Sequence, residues 1–314
     1  MKILLTGGCG YVGTNLTNKL LDEGHLVTVV DIMWFGNYLK SHNNLTVIQA
    51  DIRHIEKIPI EDVDTIIHLA NIANDPTGDL NSKLTWEVNA LASKLLIEKA
   101  IDCGVEQFIY ASSGSVYGVK DEPQVTEDLS LVPISDYNKS KMISERVLLS
   151  YQDKITLQVI RPATVCGYSP RMRLDLSVSM LTMQALTKQR ITVFGGQQTR
   201  PNIHMNDMIG VYMHFIGLGK KYPGVYNAGF ENISILDIAK KITKYIPAEI
   251  IVSESNDPRS YRQNSDKLLC TGFSSEFGIE NGIMDVIEAY REGRLKDEDR
   301  YYNIKSMQKL EFLN

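Results

Sequence analysis

Short apolar runs alternate with longer stretches of helical periodicity through the first half of the chain. Residues 3–5, 26–30, 46–49, 65–69, 108–111 and 156–161 read as strands, rich in Val, Ile and Leu on both faces. Between them, 11–23, 84–103 and 137–151 carry apolar positions at helical spacing, and Gly24 and Gly104 stand just past the first two of these helices. Continuously apolar strands separated by helices predict a parallel sheet covered on both faces. After Pro162 the rhythm becomes irregular. Residues 177–189, 235–245 and 285–292 read as helices, and 191–194, 202–204 and 250–253 as short strands. Gly195-Gly196 and Asp257-Pro258 are turn signals. The fold class expected is α/β: a Rossmann-type doubly wound parallel sheet with a smaller α/β substrate lobe at the carboxyl end, where ligands of such folds bind. The large unit is expected at 1–165 with a later contribution from about 195–230, and the lobe at 166–194 and 231–314. Val88, Leu91 and Leu95 read as a packing stripe on the long helix. Residues 295–314 are polar and are expected to dock only loosely.

Composition narrows the function classes. The chain has 314 residues, 43% hydrophobic and 23% charged, with a formal net charge of -5. This is ordinary for a globular enzyme and leaves no electrostatic footprint for nucleic acid or an anionic membrane. Cys9, Cys103, Cys166 and Cys270 form no C-x-x-C pair, so reduced thiols in a cytoplasmic protein are expected. Met1 runs directly into the first strand, so no signal peptide is expected. The most apolar later stretch, 209–218, contains His214 and is too short to span a bilayer. The histidines show no metal-ligand spacing, and no metal is expected.

The chemistry is concentrated in two motifs. Gly7, Gly10 and Gly13 follow the first strand and open the first helix, and Gly8, Gly10 and Gly13 also fit G-x-G-x-x-G. Glycines there let the backbone turn tightly and approach a pyrophosphate seated at the helix N-terminus. Asp31 closes the second strand, where a carboxylate accepts the adenosine ribose hydroxyls and repels a 2′-phosphate. NAD is therefore expected rather than NADP. Asp51 and Ile52, after the third strand, are placed to bracket adenine. The second motif is Tyr137 and Lys141, at i and i+4 on one helix face. A phenol with a pKa of about 10 is a poor base at neutral pH. A nearby ammonium and a positive nicotinamide ring both favour the phenolate. Ser112 and Ser113 end the fifth strand, and Ser113 is expected to hydrogen-bond the same substrate oxygen as Tyr137.

These residues resemble the extended short-chain dehydrogenase/reductase family that acts on nucleotide sugars. The marks run through most of the chain. They are Gly7, Gly10 and Gly13, Asp31, Asp51-Ile52, His68-Leu69-Ala70, Asn89, the Ser-Ser-Gly-Ser-Val-Tyr-Gly run at 112–118, Tyr137 and Lys141, and Arg161-Pro162. Later marks are the stretch 203–207, Tyr226-Asn227 and Arg259-Ser260-Tyr261. Residues 169–175 look most like a subgroup of GDP-heptose C4 dehydrogenases and related sugar 4-epimerases. The resemblance implies Ser113, Tyr137 and Lys141 as catalytic residues. It assigns Gly7, Gly10, Tyr11, Val12, Gly13, Asp31, Asp51, Ile52, Leu69, Ala70, Asn71 and Ser112, with Tyr137 and Lys141, to the cofactor. It assigns Asn74, Ser115, Arg171, Arg173, Arg200 and Arg259 to a nucleotide-diphosphate sugar. A homodimer built on the long helix and the Tyr137 helix is implied by analogy.

The sequence departs from the pattern in three places. Asn71 stands where the family has Ala after His-Leu-Ala. Cys166 replaces an aromatic residue and reads as a packing thiol rather than a reactive one. The arginine usual before a Pro-Gly-Asp turn is missing near Glu254, which leaves Arg200, Arg259 or Arg262 to hold the diphosphate. His204 reads as a packed structural residue. The expected activity is oxidation at C4 of a nucleotide-activated sugar, as an epimerase or a dehydrogenase. A 4,6-dehydratase is the enzymatic alternative, and a non-catalytic NAD(H)-sensing regulator is the alternative of another class. Family dehydratases place carboxylates directly after the catalytic Ser or Thr; here those positions are Gly114 and Ser115.

Overall fold

The computed structural model describes residues 1–254 and 260–310. The strands are β1 (Lys2–Thr6), β2 (Leu26–Asp31), β3 (Leu45–Gln49), β4 (Thr65–His68), β5 (Gln107–Ala111), β6 (Thr156–Pro162), β7 (Thr164–Cys166), β8 (Arg190–Phe194), β9 (Thr199–His204), β10 (Gly224–Ala228), β11 (Glu231–Ser234) and β12 (Glu249–Ser253). Seven of them form one sheet in the order β10-β6-β5-β4-β1-β2-β3. Every pairing in it is parallel. The reason is visible in β4, where all residues of Thr-Ile-Ile-His are buried. A strand covered on both faces needs helical crossovers. Helices Tyr11–Asp22 and Met205–Leu218 cover one face through Leu16, Leu20, Ile209 and Phe215. Helices Ala92–Asp102 and Asp136–Leu149 cover the other through Leu96, Ile97 and Leu148. This is the Rossmann-type fold expected from the strand pattern. The strand order reverses between β1 and β4, which opens a crevice at their carboxyl ends.

The smaller lobe packs helices Ser177–Lys188, Ile235–Thr243 and Ile279–Arg291 against the parallel pair β8 and β12, with Val178, Ile191, Ile238 and Ile283 in its core. β9 lies between β7 and β11. The apolar stretch 209–218 belongs to a buried amphipathic helix, and no described helix is long and apolar enough to cross a membrane.

Two expectations are corrected. Val88 is buried, but Leu91 is 53% exposed. A π turn at Glu87–Leu91 adds a residue to the helical repeat, so the buried face continues through Ala92 and Leu96. The π turn also turns Asn89 inward, where it accepts the Ile72 N–H at 2.8 Å and donates to Ser140 at 3.1 Å. The described part of the tail is firmly docked. Leu295, Tyr301 and Met307 are buried, and the Leu174 N–H donates to Tyr301 O at 2.8 Å. Isolated apolar anchors in a polar stretch leave no periodicity to read.

Candidate functional site

A cavity of about 580 Å³ occupies the crevice. Its floor is the glycine turn after β1. Gly7 has φ +75°, and a Cβ there would lie 2.6 Å from Ala70 N. A Cβ at Gly13 would lie 2.2 Å from Gly7 O. Neither position tolerates a side chain, so the helix start packs directly on the strand end. That helix begins after Gly10 with no side-chain cap and no acidic residue in its first turn. Its open N–H groups and positive dipole end lie among the cavity-lining residues Gly10, Tyr11, Val12 and Gly13.

Asp31 lines the same cavity, and its carboxylate accepts the N–H groups of Cys9 at 2.9 Å and Met33 at 2.7 Å. Burial raises its pKa, against the pull of these two bonds. Asp51 and Ile52 also line the cavity. Burial works to raise Asp51, but its bidentate bonds from Arg53, the shortest 2.7 Å, hold it below the usual carboxylate range. Leu69, Ala70 and Asn71 complete this wall. Asn71 donates to Leu69 O at 2.7 Å and leaves its own buried Oδ1 without a partner. A cradle that excludes Cβ atoms, an uncapped helix start, a strand-end carboxylate and an orphaned amide oxygen together fit a dinucleotide.

At the other end, Tyr137 and Ser113 both line the cavity, and Ser113 is near enough to act on the phenol. Burial pushes the Tyr137 phenol above its ordinary pKa; Ser113 and the charge of Arg173 pull it down, and Asp75 pushes it up. Ser113 is fixed in turn: its Oγ lies 2.7 Å from Ser115 Oγ, Ser115 donates to Asn138, and Asn138 donates to Asp75 at 2.9 Å. Lys141 shares the helix with Tyr137 but lies behind the cavity. It is 1% exposed, its Nζ donates to Ala111 O at 2.8 Å, and it sits 4.8 Å from the Tyr110 ring centroid. Burial pulls it down to about 7, with Glu145 opposing. Ser112 lines the cavity and donates to buried Glu145.

Asn74, Ser115, Arg171, Arg173 and Arg200 all line the cavity. Arg173 is tied to Asp175 by bonds of 3.0 and 3.1 Å, and Asn74 donates to the same carboxylate at 3.0 Å. Arg200 reaches the cavity from β9, beside Ile235 and Tyr261. Arg259 and the Asp257-Pro258 turn lie outside the described residues. Arg262 is exposed. Cys166 is 1% exposed and pushed up to about 12 by burial, and it packs so closely on Gly282 that a Cβ there would lie 2.7 Å from its sulfur. His204 caps helix Met205–Leu218, with its Nε2 3.0 Å from Asp285 and its ring stacked on Phe277.

Sequence reasoning missed Asp75, Asn138 and Asn303. Asn138 stands next to Tyr137, so its place in the motif was a usable signal. Asp75 and Asn303 reach the site from the first positions of two short helices, Asp75–Gly78 and Asn303–Met307, and nothing in their local pattern marks them.

The model of the NAD dependent epimerase/dehydratase family matches residues 3–229. UDP-glucuronic acid decarboxylase 1 of Danio rerio is 28% identical over 307 residues, which cover 92% of this chain and 72% of that protein. A UDP-glucose 4-epimerase of Lactobacillus helveticus is 26% identical over 298 residues, covering 85% of this chain and 89% of that one. Among solved structures, UDP-glucuronic acid 4-epimerase from Bacillus cereus, in complex with UDP-glucuronic acid and NAD, matches with a TM-score of 0.82 at 26% identity, over 93% of this chain and 99% of that one.

Proposed function

The chain belongs to the NAD dependent epimerase/dehydratase family, and from that premise we propose that it oxidises a nucleotide-activated sugar at C4, as a 4-epimerase or a C4 dehydrogenase. The observation that carries this reading is the Tyr137–Ser113 pair facing the cavity beside a dinucleotide cradle. NAD, when bound, supplies a hydride acceptor at nicotinamide C4. Ser113, held by the Ser115–Asn138–Asp75 chain, positions the sugar hydroxyl. Tyr137 removes its proton. Burial disfavours the phenolate, so Tyr137 depends on positive charge: Arg173 supplies some, and Lys141 would supply more if its side chain turned toward the cavity. Arg173 and Arg200 supply cations for the substrate diphosphate. Rotation of the ketose before it is reduced again gives epimerisation; release gives dehydrogenation. A homodimer through the long helix and the Tyr137 helix belongs to the same reading, and exposed Leu91 suits it.

The 4,6-dehydratase reading is weaker. Elimination needs an acid and a base besides Tyr137. Gly114 and Ser115 supply neither, and Asp121 and Glu122 are exposed and do not line the cavity. Asp75 does line it, but its carboxylate is engaged by Ser135 and Asn138. A panel of UDP-, GDP-, CDP- and dTDP-sugars, GDP-heptose included, tests the proposal when product mass and NADH absorbance are read together. An unchanged mass with inverted C4, or loss of two hydrogens with NADH formed, supports it. Loss of one water that depends on Tyr137 would overturn it in favour of dehydration. Binding of NAD without turnover of any sugar would favour a sensing role.

A further inference from the structure

Arg171 lies on the cofactor side of the cavity. Its guanidinium stacks 4.1 Å from the centroid of Phe35, in the loop that follows β2 and Asp31. Its charge is felt by the Asp31 carboxylate, and Tyr38 of the same loop acts on it. The side chain is clamped. One terminal nitrogen donates to Met172 O at 2.9 Å and the other to Asn303 Oδ1 at 2.5 Å. Its Nε–H has no partner, although the residue is only 2% exposed. A buried donor left unpaired costs stability unless a ligand accepts its hydrogen bond.

The charges around the cavity point the same way. Arg173 has an ion-pair partner in Asp175, whereas the hydrogen bonds of Arg171 go to a carbonyl and an amide. Burial, reinforced by the like charge of Arg173, pulls Arg171 down to about 10. A pyrophosphate brings two negative charges, and a helix N-terminus offsets about half of one.

We propose that Arg171 binds the adenosine diphosphate half of NAD rather than the sugar nucleotide, and that the C-terminal segment holds it in place through Asn303. Asn303 is 3% exposed and lines the cavity beside Ile304, and its N–H donates to Asp175 at 3.3 Å. The tail is thereby part of the cofactor site. The inference rests on the dinucleotide site and not on the sugar chemistry.

Isothermal titration with NAD, ADP-ribose, UDP and GDP tests it, with thermal melting as the check on folding. Arg171→Gln is expected to weaken NAD and ADP-ribose about tenfold, the loss of one charge-assisted bond, and to leave UDP and GDP within about twofold. Asn303→Ala is expected to give a smaller loss on the same two ligands. Loss confined to UDP or GDP would assign Arg171 to the substrate and overturn the proposal. Unchanged NAD affinity in a folded Arg171→Gln would also overturn it. Should that variant fail to fold, unchanged NAD affinity in both Arg171→Lys and Asn303→Ala would do the same. Wild-type protein that bound no NAD would instead bring down the cofactor assignment itself.

Discussion

The Glu145 carboxylate and the Arg161 guanidinium form a buried ion pair directly behind the strand end that carries Ser112 and Ser113, with Nη2 2.6 Å from Oε2 and Nε 3.0 Å from Oε1. Both side chains are at most 5% exposed. Arg161 continues to Tyr117 at 2.7 Å, Tyr117 to Asn227 at 2.8 Å, and Ser112 donates to Glu145. A buried pair of this kind holds a geometry more than it adds net stability, but removing one partner strands the other.

Glu145→Gln is therefore expected to destabilise the fold by about 3–5 kcal/mol, read from urea unfolding. Replacing Glu145 and Arg161 together by methionine is expected to recover part of that loss. A double variant less stable than the single one would show that the pair contributes more than mutual compensation.

Tyr137→Phe keeps the ring and removes the phenol. Turnover is expected to fall at least ~100-fold, the usual size of a general-base contribution. NAD affinity is expected to change little, because the proposed role of the hydroxyl is toward the substrate. Stopped-flow NADH formation and NAD titration separate the two, and residual turnover of a tenth or more would require a different base.

Asp31→Asn removes the charge and keeps one of the two oxygens that accept the Cys9 and Met33 N–H groups. NAD is expected to bind more weakly and NADP more tightly than in wild type. In the wild type, burial raises the Asp31 pKa. Its protonation, and with it the loss of NAD affinity, should then begin above the ordinary Asp value of about 3.9 as the pH falls. NADP affinity equal to NAD in the unmutated protein would refute the assignment.

Lys141 offers a pH test that needs no substrate. Its folded pKa is pulled to about 7 by burial, below the ordinary lysine value of about 10.4. Between these values the unfolded chain binds the extra proton, so this group makes stability rise with pH across that window. Below pH 7 both states are protonated and the cost of burying the charge is fully present. Relative to Lys141→Met, wild type is expected to be least stable near pH 6 and to gain through pH 10. Parallel urea midpoints across that range would contradict it.

Local pattern was enough for the large sheet and its cofactor end. Strands buried on both faces must be continuously apolar, so β1, β2, β4, β5 and β6 are legible within a residue or so. Gly7 and Gly13 are legible because only glycine fits where two backbones meet, and Asp31 because it closes a strand. Tyr137 and Lys141 are legible as a helical pair. Their spacing says nothing of direction, and only the packed core shows Lys141 turned to Ala111 O, away from the cavity.

What tertiary structure alone decided is whatever depends on segments far apart in sequence. β10 and helix Met205–Leu218 join the large sheet only because the chain returns to it. The π turn at Glu87–Leu91 shifted the buried face and left Leu91 outside, since one extra residue in a turn does not show in composition. Asp75 comes to the Ser113 network, and Asn303 to Arg171, through contacts whose free energy comes from burial and mutual satisfaction. A single polar residue opening a helix of four or five residues carries no periodic signal of such a partner. The sequence by itself determined the cofactor cradle, because backbone geometry imposes residue types there. The field around Tyr137 and the placement of the arginines were decided by packing, because charges act through space and not along the chain.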